Sequence, residues 1–162
     1  MSIFDIFSSS KDNNTPMSTS PLGISLIQHY EGCVLTAYRD SVGCLTVGFG
    51  HTSNVTENMS ITQEDADNFL KSDLGIFEES LQKLVTVSLT QCQYDALISF
   101  VYNLGENSLK NSTLLKLLNE NNVNSAAEEF LKWNHAGGKV LNGLTKRRES
   151  EKYLFLNNEN NF

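Results

Sequence analysis

The stretch EGCVLTAYRDSVGCLTVGFGHT, residues 31–52, decides the fold. Leu35–Arg39 and Leu45–Phe49 are short β-prone runs, and Asp40-Ser41-Val42-Gly43 between them is a turn-forming set, so the spacing predicts a hairpin. Just upstream, Ile24, Leu26, Ile27 and Tyr30 suggest a short helix, and Gly32 after Glu31 is a natural helix terminator. One carboxylate therefore sits at the junction of a helix and a hairpin. A second, Asp40, sits at the hairpin's turn.

Downstream the reading is helical. Thr62-Gln63-Glu64-Asp65 is a helix start, with a capping hydroxyl and acids in the first turn, and the helix is expected to run to about Val85 with Gly75 as its weak point. Thr90 opens another, in which Ala96, Leu97, Phe100, Val101 and Leu104 form an apolar stripe before Gly105. Leu114–Leu118, Ser125–Trp133 and Leu144–Leu156 read as further helices, and Tyr94, Phe100 and Trp133 read as core. One small hairpin inside a run of helices defines an α+β fold. Met1–Phe7 is apolar but short and has no basic residue before it, unlike a secretory leader. Ser8–Pro21 is polar and carries both prolines. Residues 1–21 are thus expected to form a flexible N-terminal segment, 22–156 the folded domain and 157–162 a polar tail.

Composition sets outer limits. A chain of 162 residues with 40% hydrophobic and 19% charged side chains has the make-up of one globular domain, not of a disordered or fibrous chain. No apolar run is long enough to span a bilayer, so stable membrane insertion is not expected. The net charge of −7 argues against a nucleic-acid footprint over the whole surface. That charge is uneven: residues 1–109 hold four basic and thirteen acidic side chains, residues 110–162 eight and six. Attraction to an anionic polymer must come from the C-terminal third. His29, His51 and His135 lack metal-ligand spacing, so no metal is expected. Cys33, Cys44 and Cys92 cannot all pair within one chain; they are either reduced thiols or include a redox-sensitive Cys33–Cys44 pair.

The two carboxylates carry the chemical argument. Glu31 ends an apolar helix beside Tyr30, Val34 and Leu35, where desolvation favours the neutral form that a general acid needs. Asp40, in an open turn, should stay ionised. A protonated and an ionised carboxyl in contrasting settings are what glycoside hydrolysis uses. Thr46 lies on the opposing strand close to the turn, where its hydroxyl could orient a water held by Asp40. The glycines of Gly43-Cys44-Leu45-Thr46-Val47-Gly48-Phe49-Gly50-His51-Thr52 allow a polymer to approach the backbone closely.

Glu31-x8-Asp40-x5-Thr46, followed by Val47-Gly48-Phe49-Gly50-His51, resembles the phage-type lysozymes, the family of T-even phage lysozyme and the lambdoid endolysins. The likeness continues through Ile61–Ala66 (the family's long inter-lobe helix), Asp95–Gly105 (its central core helix) and Trp133–Lys139 with Gly143–Glu149 (its C-terminal signature). It covers about residues 22–156. The resemblance implies a small hairpin lobe joined by a long helix to a mostly helical lobe. It also implies a muramidase that cleaves the β-1,4 bond between N-acetylmuramic acid and N-acetylglucosamine in peptidoglycan, without a cofactor. By position Glu31 would be the general acid, Asp40 the base or charge stabiliser, and Thr46 the residue that helps place water. Thr52, Tyr102 and Thr113 would be saccharide contacts along the cleft. His51 would pair structurally with Asp73, and Arg147 or Arg148 would reach towards Glu31. Inversion is expected if the carboxyls stand roughly 6.5–9.5 Å apart.

The resemblance further implies a monomer made in the bacterial cytoplasm and acting on the periplasmic wall after holin-dependent release. Two other readings stand beside it: the same enzyme delivered by a virion or as a secreted effector, its head acting as a docking segment, and a catalytically silent wall- or partner-binding module. A Cys33–Cys44 disulfide would distort the site until reduced.

Overall fold

The computed structural model describes residues 16–157. The expectations for residues 1–15 and 158–162 lie outside the described residues. Helix α1 (Pro21–Glu31) starts at Ser20, whose hydroxyl accepts from the amides of Leu22 and Gly23, with Pro21 in the first turn where its missing N–H costs nothing. Strands β1 (Val34–Arg39) and β2 (Leu45–Gly48) pair antiparallel, with Tyr38 opposite Thr46 and Arg39 opposite Leu45. The segment through Met59 and Ile61 covers the free edge of β1 by main-chain bonds of 2.8 and 2.9 Å to Ala37 and Leu35.

Helix α2 (Gln63–Leu84) carries the expected start as a full capping box: the Thr62 hydroxyl accepts from the Asp65 amide, and the Asp65 carboxylate accepts from the Thr62 amide. Those bonds hold the Asp65 carboxyl below its ordinary value. Gly75 does not interrupt the helix. Helix α3 (Gln91–Leu104) has the same device in Thr90 and Gln93. Every residue from Cys92 to Val101 is buried, so α3 is surrounded on all sides rather than amphipathic. Helices α1, α2, α4 (Glu106–Lys110) and α7 (Asn142–Leu156) all pack on it.

Helices α5 (Thr113–Asn119) and α6 (Val123–Glu129) complete the larger lobe. The single helix expected over Ser125–Trp133 ends at Glu129 and passes into a 3-10 turn, Phe130–Lys132. A second hairpin, β3 (His135–Ala136) with β4 (Lys139–Val140), was not expected. Gly137 and Gly138 form its two-residue turn at φ of +55° and +76°, a conformation that favours glycine at both positions.

Residues ahead of Leu22, within the expected N-terminal segment, also bond to the domain. The Tyr94 hydroxyl donates to the Met17 carbonyl (2.9 Å), Thr19 donates from its amide and hydroxyl to Glu78, and Ser20 does the same to the fully buried Asp95 (2.9 and 2.5 Å). Residues 17–20 thus form a strap across α2 and α3. Gly23 is what lets it lie so close: a Cβ there would sit 2.8 Å from the Asp95 carboxyl and from Thr19 Cγ2. Gly23→Ala should therefore destabilise the protein by about 1–2 kcal/mol in urea unfolding, because overpacking outweighs the helix-propensity gain of about 1 kcal/mol.

Candidate active site

Glu31 is the last residue of α1, and Gly32, at φ +66°, turns the chain away immediately after it. Its surroundings are not the purely apolar set read from the sequence. Arg147 Nη1 of α7 lies 2.5 Å from Glu31 Oε1. The other carboxylate oxygen, Oε2, faces Gly50: a Cβ on that glycine would stand 3.7 Å from Oε2 and 4.0 Å from the Tyr102 hydroxyl. Gly50 also adopts φ +91°, so the backbone favours glycine there, and only its main chain faces Glu31 Oε2.

Asp40 follows β1 at the turn. Its Oδ1 accepts from the amides of Val42 and Cys44 at 3.0 and 2.8 Å, which fixes the carboxylate at the tip of the hairpin. Thr46 on β2 is 4% exposed, and its hydroxyl donates to the Cys44 carbonyl at 3.1 Å. That proton is committed, so the oxygen is available as an acceptor, and a water placed there would donate to Thr46.

The remaining residues divide. Thr52 and Tyr102 line one cavity of about 240 Å3 with Gly50, Ser53, Asp73, Ile76 and Phe77. Thr113 is exposed on the first turn of α5 and does not line it. Tyr102 donates to the Phe49 carbonyl at 2.6 Å; burial, then the charges of Asp73 and Glu31, push its phenol above the ordinary value of 10.0. The structure brings His51 and Asp73 together, with His51 Nδ1 2.9 and 3.0 Å from the carboxylate oxygens, and stacks His51 on Phe69 at 4.3 Å. This pair joins the hairpin to α2.

The Cys33–Cys44 pairing is corrected. Val34 pairs with Gly48, whereas Asp40 donates its amide to the Cys44 carbonyl, so the two thiols lie at opposite ends of the hairpin. At about 3.3 Å per strand residue they are roughly 20 Å apart, and a disulfide needs Cα atoms within about 7 Å. None of the three cysteines is in a disulfide; Cys33 and Cys44 are exposed and Cys92 is buried.

Sequence reasoning missed the group behind Arg147. Arg148 and Glu151 are 0% exposed and Arg147 2%. Arg147 Nε donates to Glu151 Oε1 (3.2 Å), and Nη2 donates to the Ser99 carbonyl (3.1 Å). Arg148 Nη2 donates to Glu151 Oε1 (3.1 Å) and Asn103 Oδ1 (2.9 Å), and its guanidinium lies over Phe100. Burial pushes the Glu151 carboxyl up, and the two guanidiniums oppose it. Protonation of Glu151 would leave the buried Arg148 without a counter-charge, since Arg147 alone is also paired with Glu31, and this favours the ionised form. The signal was present in Lys146-Arg147-Arg148-Glu149-Ser150-Glu151: positions 147, 148 and 151 share one helical face.

Hairpin, long linking helix and helical lobe, with a carboxylate at the end of the first helix, define a lysozyme-like protein. The family model described as Phage lysozyme matches residues 28–151, and the chain belongs to that family. It is 47% identical over 146 residues to the endolysin of Bacillus phage B103, covering 88% of this chain and 56% of that protein. With the endolysin of Salmonella phage P22 it shares 43% identity over 145 residues, covering 86% of this chain and 99% of that one. The chain thus spans little more than half of the Bacillus phage B103 and PZA endolysins, 56% and 55%. Among solved structures, the muramidase domain of SpmX from Asticaccaulis excentricus superposes with a TM-score of 0.82 at 38% identity, covering 86% of this chain and 98% of that one. A P22 lysozyme mutant gives 0.80 at 41%, covering 87% and 99%.

Two predictions follow from the site's geometry. Thiol titration of the native protein should give two fast-reacting groups, Cys33 and Cys44, and a third only on unfolding. Tyr102→Phe should cost about 1 kcal/mol of stability. Because the folded phenol sits above its unfolded value of 10.0, this contribution is complete below pH 10.0 and fades as the pH rises through the folded value, which parallel wild-type and mutant melts would show.

Proposed function

We propose that this protein is a peptidoglycan muramidase that hydrolyses the β-1,4 bond between N-acetylmuramic acid and N-acetylglucosamine and so lyses bacteria. The observation that carries the reading is the placement of Glu31: fixed through one oxygen by Arg147, facing the main chain of Gly50 through the other, at the base of a hairpin whose tip holds Asp40. The protonated Glu31 gives its proton to the leaving glycosidic oxygen. Asp40 takes the proton of the attacking water or balances charge at the anomeric carbon. Thr46 accepts a hydrogen bond from that water, and Thr52 and Tyr102 contact sugar in the cavity beside Gly50. Thr113, as a saccharide contact, rests on family position alone.

Glycan bound in the cleft would exclude water and strengthen these electrostatic terms. Relatives named as endolysins support action on the bacterial wall; synthesis inside an infected cell, holin-dependent passage and a monomeric state complete the proposal and rest on the family resemblance alone. Among the described residues no helix is long and apolar enough to cross a membrane, and no cluster of His, Cys, Asp or Glu could hold a metal ion.

Turbidity loss of purified peptidoglycan, with reducing ends counted, tests the reading. Wild type should clear the suspension and generate new ends. Glu31→Gln, which keeps the shape but not the proton, should be slower by at least about 100-fold. Equal clearance by both would show that Glu31 is not the acid. A silent binding module would clear nothing in either form. Deleting residues 1–15, ahead of the strap, should leave clearance intact if that segment serves delivery alone.

A further inference from the structure

The Arg147 guanidinium has a partner at each nitrogen: Glu31 at Nη1 (2.5 Å), Ser99 at Nη2 (3.1 Å to the carbonyl, 3.4 Å to the hydroxyl) and Glu151 at Nε (3.2 Å). Glu151 is itself held, accepting the Ser99 hydroxyl proton at 2.7 Å and the Arg148 Nη2 proton at 3.1 Å. We propose that Glu151 is a positioning residue for the general acid, acting through Arg147: it fixes the guanidinium against Glu31 Oε1 and takes up part of its charge. This inference rests on the reading of Glu31 as the acid.

The simpler view is that Glu151 merely balances two buried arginines. A counter-ion for that purpose could sit on any side of them. Here the anion lies on the guanidinium edge next to the one facing Glu31, so one cation is shared between two carboxylates. An acid paired with an unshared cation would release its proton more readily and be spent at lower pH. The charged and titratable groups around this relay are few. Arg147 faces Glu31; Glu151 and Arg148 stand behind on α7; Tyr30 of α1 covers the guanidinium at 5.7 Å; Tyr102 of α3 lies beside Glu31; and Asp73 of α2 lies beyond Tyr102. From the hairpin, Gly50 presents only backbone, and His51 is turned to Asp73.

Glu151→Gln keeps the shape and removes the charge. The full chain would be followed in three ways: the pH profile of kcat/KM on soluble glycan fragments, titration of the Glu31 side-chain carboxyl by carbon NMR, and thermal unfolding. The alkaline limb and the Glu31 midpoint should both move to lower pH by about one unit or more, the scale set by one nearby charge. At a fixed pH above the wild-type limb, a one-unit move is about a tenfold loss. This loss should fall on kcat, with KM held within about twofold, as expected for an effect on the acid rather than on glycan binding. Glu151→Asp, which retains the charge, should return the limb towards wild type.

If Glu151→Gln gives no cooperative transition, the double variant Arg148→Gln/Glu151→Gln replaces it, since it removes the buried pair together. It retains Arg147 without the adjacent anion, so its limb should also move down. A lowered melting temperature with an unmoved limb and midpoint would overturn the proposal and leave Glu151 a counter-ion only. Movement of the Glu31 midpoint with no movement of the rate limb would support the relay and instead count against Glu31 as the acid. Lysis by Glu31→Gln would do the same.

Discussion

Two guanidiniums withdrawn from water in the centre of the larger lobe are the constraint on which this structure turns. Desolvating an ion costs several kcal/mol, and only well-placed counter-charges and hydrogen-bond acceptors offset it. Arg147 and Arg148 therefore dictate much of what surrounds them. Glu151 must be ionised between them, Ser99 must offer both its carbonyl and its hydroxyl, Asn103 must turn its oxygen inwards, and Phe100 must present its face. Helix α3 supplies three of these partners, so its burial on every side serves the charges as well as the core. The fourth charge, Glu31, is the only member of the group with a path to solvent. Glu31 is the exposed end of an internal ionic network.

The hairpin lobe is held in place by polar contacts rather than by a shared apolar core alone. His51 to Asp73 and Tyr102 to the Phe49 carbonyl are directional bonds from the Phe49-Gly50-His51 turn to α2 and α3. They flank Gly50, the residue whose main chain faces Glu31. The same few residues thus set the position of the lobe and bring Gly50 up to Glu31.

What could be read from the sequence follows from how local each signal is. Thr62 with Asp65 and Thr90 with Gln93 announce their helices because a capping box is made by neighbours in the chain. The hairpin was legible for the same reason, and Glu31, Asp40 and Thr46 came with it. The Gly137-Gly138 turn was equally local and could have been read. The rest was non-local. The chain neighbours of Glu31 suggest an apolar setting; the cation beside it lies 116 positions away and was reached only through the family resemblance. Cys33 and Cys44 stand at the starts of two adjacent strands, and an antiparallel register sends those starts to opposite ends. The spacing of Arg147, Arg148 and Glu151 puts them on one helical face, but it takes the packing of α7 against α3 to turn that face inside. Nor could the strap be read from a polar, proline-containing stretch, because its bonds reach Glu78 and Asp95 far along the chain.

The meeting of α1 with α7 also bears on the order in which the molecule is made. Tyr30 bonds Ser150 and the Lys146 carbonyl, and Glu31 meets Arg147, so the helical lobe is closed by its first helix and its last. A nascent chain emerging from the ribosome already carries Glu31, Asp40 and Thr46, yet has nothing to hold the acid and leaves one flank of α3 bare until α7 has cleared the exit tunnel. The group around Glu31 is therefore assembled only once α7 has emerged. Chains that stop short of α7 hold Glu31 without its arginine partner.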